Sequence, residues 1–152
     1  MKIYSFDDVR NFLNDIPNIN CGGCGIAALS MFLWTKEHEA EFIDDFKLIY
    51  KYTAWSLDAY EDNVAYFQGK RPYPNSCGHA LIKHKNIIQD TSDTGYDCSY
   101  FFTSHESVID APDIEDFLRK SINHGSWNRF FNRKKYVPYI EKNLKINLDV
   151  SC

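Results

Sequence analysis

The chain has 152 residues, of which 44% are hydrophobic, 25% charged and 16% aromatic. This is the composition of one globular domain over residues 1–152, long enough to bury a core, and it excludes a disordered or fibrous chain. A formal charge of −4 gives no electrostatic reason to expect nucleic acid or an anionic membrane as partner, and no apolar run is long enough to span a bilayer.

Ser5-Phe6-Asp7-Asp8 supplies a serine cap and a first-turn acidic pair, and Val9, Phe12, Leu13 and Ile16 recur at helical spacing up to Pro17. Residues 18–23 are turn-rich. Gly25 to Lys36 then reads as a helix apolar on all sides, hence buried and central. Phe42, Ile43, Phe46, Ile49 and Tyr50 suggest the stripe of a third, amphipathic helix, and Leu57 to Phe67 a fourth that stops at Gly69. After a proline-rich stretch, His79–Lys83 and Ile87–Thr91 read as a hairpin turning at Lys85-Asn86. Cys98–Thr103 is a third strand and Ile146–Val150 a weak fourth. Between them a helix starts near Pro112 and ends at His124-Gly125, and Pro138 suits the first turn of a last helix. Helices first and sheet second is an α+β arrangement.

Cys24 carries the chemistry. It stands where the turn-rich stretch gives way to the central helix, and the N–H groups and positive dipole end at a helix start stabilise a thiolate or an oxyanion. With Lys85-Asn86 as a two-residue turn, His79 faces Ser92 and Leu81 faces Asp90, so His79 and Asp90 share a sheet face as diagonal neighbours. Thiol, imidazole and carboxylate form a cysteine-nucleophile set: Cys24 attacks an acyl carbon, His79 moves the proton and Asp90 orients the imidazole. The Cys24 N–H is one oxyanion donor, with Asn18, or else Asn20, as the second. Gly22, Gly23 and Gly25 leave room for backbone to approach a substrate. Trp55, Tyr73 and Trp127 are candidate groove residues.

Blander readings use the same residues. Cys24 is also the kind of residue that fills a core, His79 a histidine satisfied by a neighbour, and Asp90 a turn former. Cys21, Cys24, Cys77 and His79 make two close-spaced pairs of zinc-ligand types, and Cys21-Gly22-Gly23-Cys24 has the form of a dithiol redox motif. Arg129, Arg133, Lys134 and Lys135, interleaved with Phe130 and Phe131, form a basic and aromatic cluster that reads as a solvated face before it reads as a contact for an acidic partner. Five cysteines are an odd number, which suits reduced thiols better than a disulfide framework. With no signal core in Met1–Asp8, the expected location is cytoplasmic.

Cys24-Gly25-Ile26-Ala27-Ala28-Leu29-Ser30-Met31 resembles the nucleophile helix of the bacteriocin-processing, papain-like cysteine peptidases, and Cys21-Gly22-Gly23-Cys24 is similar to the Cys-Gly-Ser-Cys of papain. Gly78-His79-Ala80-Leu81-Ile82 resembles their histidine strand. The resemblance covers about a quarter of the chain, around Asn18–Met31 and Cys77–Thr91. It implies a papain-like fold, with the nucleophile helix packed on a small antiparallel sheet, and acyl-transfer chemistry needing no cofactor. It also implies Asn18 at the oxyanion-hole position and Asp90 as third triad member. The chain departs in having Asn18 where those enzymes have glutamine, Gly25 where papain has tryptophan, and a short interval from His79 to Asp90. Transglutaminase-like and arylamine acetyltransferase-like proteins share the Cys-His-Asp order, so transfer stands beside hydrolysis of a peptide, amide or isopeptide bond. The expected partner is a peptide or protein substrate; oligomeric state is not legible.

Overall fold

A computed structural model describes residues 2–89 and 103–152, and from β4 only beyond Ser104 at the level of side chains. Its elements are α1 (Phe6–Asn14), α2 (Cys24–His38), β1 (Lys47–Thr53), α3 (Leu57–Phe67), β2 (His79–His84), β3 (Ile87–Gln89), β4 (Thr103–Asp110), α4 (Ala111–His124) and α5 (Arg133–Leu144). The fold is α+β, with one antiparallel sheet in the order β3-β2-β1-β4. None of the described helices is long and apolar enough to cross a membrane.

The sheet, α1, α4 and α5 gather round α2. From Cys24 to Phe32, and again at Trp34 and Thr35, every α2 residue is buried. Such a helix has no wet face on which to place polar groups. Ser30 and Thr35 therefore donate to the carbonyls of Ile26 (2.7 Å) and Met31 (2.9 Å), four residues back on the same helix. α1 begins as expected: the Asp8 N–H donates to Ser5 Oγ, and the Ser5 N–H donates back to the Asp8 carboxylate. Val9, Phe12 and Leu13 then turn inward.

The expected third helix does not form. Ala40–Asp45 is a 3₁₀ segment, Phe46 is extended with ψ 135°, and Lys47–Thr53 is a strand. The spacing of Phe42, Ile43, Phe46, Ile49 and Tyr50 imitates a helical stripe. Leu48, Tyr50 and Tyr52, all at 0% exposure, follow instead the period of two of a strand. This strand is central, with β2 on one side and β4 on the other, so the first half of the chain is not purely helical.

The hairpin turns where expected. Lys85 (φ 52°) and Asn86 (φ 61°) both take the left-handed conformation of a two-residue turn. The pairs Ile82↔Gln89, Lys83↔Ile88 and His84↔Ile87 give the anticipated register. Ser92 and Asp90 lie outside the described residues, as does Cys98–Phe102 of the expected third strand, whose observed counterpart runs from Thr103 to Asp110. Ile146–Val150 is irregular. Arg119 donates to the Leu148 carbonyl, and the Leu148 N–H donates to Glu141, so side chains hold this segment and no strand ladder does. α5 begins before Pro138, because Asn132 caps it by accepting from the Lys135 N–H at 3.2 Å.

His84 is buried at 2% exposure among the rings of Phe6 (4.9 Å), Phe46 (4.2 Å) and Phe42 (6.4 Å). Among the described residues neither ring nitrogen has a hydrogen-bond partner. Burial, and then the charge of Lys85, lower its pKa from the ordinary 6.5, against a smaller opposing effect of Asp45. Above about pH 6.5 the ring is neutral in folded and unfolded chains alike; below it the unfolded chain takes up the proton first, so stability falls as pH drops from there to the depressed folded value. Urea unfolding at pH 7.5 and 5.5 will show this loss in the wild type and a smaller one in His84→Phe; equal losses would refute the assignment.

Candidate active site

Cys24 is the first residue of α2, 3% exposed, with Gly23 preceding it as the cap position. It borders a cavity of about 460 Å³ whose wall includes Asn20, Cys21, Cys77, Gly78, Ser76 and Trp127. Cys21, Cys24 and Cys77 are all thiols. Beneath the cavity Tyr50 is fully buried, and its hydroxyl lies within electrostatic range of both Cys77 and Cys24. Desolvation first, and then Cys77, hold this phenol well above its usual range against the smaller lowering effect of its bond to Ser121, so it is a neutral hydrogen-bond donor.

A hydrogen-bonded frame fixes the wall. Tyr50 donates to Ser121 Oγ at 3.0 Å, and Ser121 donates to the Asn75 carbonyl at 2.8 Å. The Asn75 side-chain oxygen accepts from the N–H groups of Ser76 (2.8 Å) and Ser126 (3.1 Å), and Ser76 Oγ donates to the Ser126 carbonyl at 2.9 Å. Asn63, 1% exposed, donates to the Tyr52 hydroxyl and accepts from the Asn75 N–H. Sequence reasoning missed this frame. Its residues are ordinary polar types scattered between positions 50 and 126, and only the fold turns them inward.

The glycines have a different reason from the one expected. A Cβ on Gly22, at φ 103°, would stand 1.7 Å from the Asn128 carbonyl oxygen. On Gly23 it would meet the Ile19 carbonyl at 2.7 Å and the Phe131 ring at 2.8 Å, and on Gly25 the Trp127 ring at 2.9 Å. The chain's own segment 126–131 occupies the approach to these glycines. It is bound there by the Phe131 N–H to the Cys21 carbonyl (3.1 Å) and by the Trp127 indole N–H to the Ser121 carbonyl (3.0 Å).

The predicted partners are placed as follows. Asn18 is exposed, in a left-handed turn (φ 61°), and is not among the cavity residues; Asn20, 2% exposed, is. The second choice of oxyanion donor thus has the better position, because the turn at Asn18 directs that residue outward. His79 opens β2 and is 4% exposed, next to the cavity residue Gly78. Its partner across the ladder is Lys51, whereas Ala80 pairs with Tyr50. Side chains alternate along a strand, so the register assigns His79 to the face of Lys51 and Leu81, and Tyr50, beside Cys24, to the opposite face. Asp90 lies outside the described residues. Trp55 and Trp127 border the cavity; Tyr73 stacks on His124 at 3.6 Å instead. The alternative zinc set is not gathered: among the described residues no three Cys, His, Asp or Glu side chains converge to hold a metal ion.

The glycine seam gives a graded expectation. Gly22→Ala collides with backbone and strains φ, which costs about 3 kcal/mol, whereas Gly25→Ala meets a side chain that can shift and costs about 1 kcal/mol. Denaturant unfolding of the two variants measures the difference; equal losses would mean the segment 126–131 does not sit against Gly22.

No protein-family model, no curated protein and no solved structure matches this chain.

Proposed function

We propose that the cavity is a cysteine-dependent acyl-transfer site of papain-like type, acting on a peptide, amide or isopeptide bond. One observation carries the reading: Cys24 holds the first position of a buried fifteen-residue helix and borders the same cavity as the Asn20 amide. A carbonyl oxygen brought to this sulfur meets the positive end of the helix dipole, which favours the negative charge it develops.

In the proposed reaction the Cys24 sulfur attacks the carbonyl carbon and its proton passes to a base. The carbonyl oxygen becomes an oxyanion, which the Cys24 N–H and the Asn20 side-chain amide stabilise by donating to it. Collapse breaks the C–N bond; the amine leaves with the proton, and the acyl group stays on sulfur as a thioester. Water then releases the acid and regenerates the thiol, or an amine accepts the acyl group.

His79 is the proposed base. For it to take the sulfur's proton, the start of β2 has to turn the imidazole from the Lys51 face to the Tyr50 face. Three thiols on one wall also suit a second reading, reversible dithiol chemistry between Cys21 and Cys24.

Intact-mass analysis with acyl-donating amide and peptide probes separates these. The expected result is one acyl adduct on the wild-type chain, absent in Cys24→Ala. Its formation is slowed about a hundredfold in Asn20→Ala and in His79→Ala, and unchanged in Asn18→Ala, with thermal melts as folding controls. An adduct that persists in Cys24→Ala, or none with any probe, would defeat the acyl-transfer reading. A Cys21–Cys24 disulfide that cycles with a mild reductant would favour the dithiol one.

A further inference from the structure

A second cavity, of about 760 Å³, adjoins the first; Ser126, Trp127 and Asn128 border both. Its wall includes Arg129, Arg133 and Lys134, and among the described residues no Asp or Glu. The chain as a whole has 21 acidic against 17 basic side chains, so three cations on one wall are a local excess of positive charge, reduced at Arg133 by Cys152 on the same wall. Several other cations are matched: Lys36 with Glu115, Lys47 with Asp110, Arg71 with Asp62 and Lys120 with Asp116. Arg129 and Lys134 are exposed and make no ion pair among the described residues. Arg133 is half-buried and donates to the main-chain carbonyls of Ile122 (3.0 Å) and Ser151 (3.4 Å). Burial lowers its pKa from the usual guanidinium value, offset in part by Cys152.

We propose that this basic cavity is a substrate subsite for an acidic side chain, taken from a peptide that crosses Trp127 with its reacting bond at Cys24. The assignment rests on the acyl-transfer reading above and adds the substrate class to it: peptides with Glu or Asp flanking the bond. Arg129 and Lys134 supply the two cations open to a carboxylate, while Arg133 keeps its main-chain bonds and sets the local potential. A peptide fits better than a nucleic acid, because three cations in a chain of net charge −4 offer few phosphate contacts. Asn128, on the wall shared by both cavities, offers an amide N–H donor to a peptide carbonyl.

Fluorescence anisotropy on the full chain carrying Cys24→Ala tests this, using two peptides capped at both ends that differ only in Glu against Gln. The Glu peptide is expected to bind about tenfold tighter at low salt, with the gap closing at high salt. Arg129→Gln with Lys134→Gln is expected to reduce the Glu peptide to the affinity of the Gln peptide. Equal binding of both peptides, or a preference that survives the double substitution, would overturn the subsite. An oligothymidylate of equal charge that binds tighter and is lost in the same variant would overturn the peptide assignment. Failure of the underlying reading looks different: the Glu preference persists, yet the wild-type Cys24 takes no acyl group from either peptide.

Discussion

The burial of α2 on every side is the constraint from which the rest of the architecture follows. A helix apolar all round is stable only if each face is covered, and here α1, the sheet, α4 and α5 supply the covers. Burial leaves the two ends of the helix as the only places where its backbone meets polar surroundings. At the amino-terminal end Cys24 borders the cavity, and a first-turn N–H has no carbonyl four residues back to take it. Whatever chemistry the thiol performs, its place is fixed by how the core closes.

The cavity wall meets the same demand for satisfied polar groups in another way. Tyr50, Tyr52, Asn63 and Ser121 bring buried hydroxyls and an amide to the wall, and with the half-buried Asn75 they are matched to one another across β1, α3, α4 and the loop before β2. Breaking one member leaves others unsatisfied, at about 1–3 kcal/mol for each buried group. The frame therefore holds the wall rigid.

How far the molecule was legible in its sequence depended on whether a signal was local. The Ser5 cap, the Leu57–Phe67 helix, the Ala111–His124 helix and the Lys85-Asn86 turn announce themselves within a few residues, and each is where its local chemistry puts it. β1 was misread because a short strand after a 3₁₀ segment can space its apolar residues like a helix; only pairing with β2 and β4 decides the period. The site was half legible. A thiol at the start of a buried helix can be read from Cys24 and the run that follows. Which asparagine turns inward, and which sheet face His79 takes relative to Tyr50, depend on a turn geometry at Asn18 and a strand register with Lys51 and Tyr50 that lie beyond any local window.

The contact between Gly22 and Asn128 joins two parts of the chain more than a hundred positions apart. Neither can drift freely: a side chain at Gly22 would evict the segment 126–131, and a displaced segment would remove one of the glycine's two reasons, its φ of 103° being the other. Descendants of this sequence that keep the Trp127–Phe131 stretch should therefore keep Gly22 and Gly23 with it. That paired inheritance would mark kinship even where the rest of the chain has diverged beyond recognition.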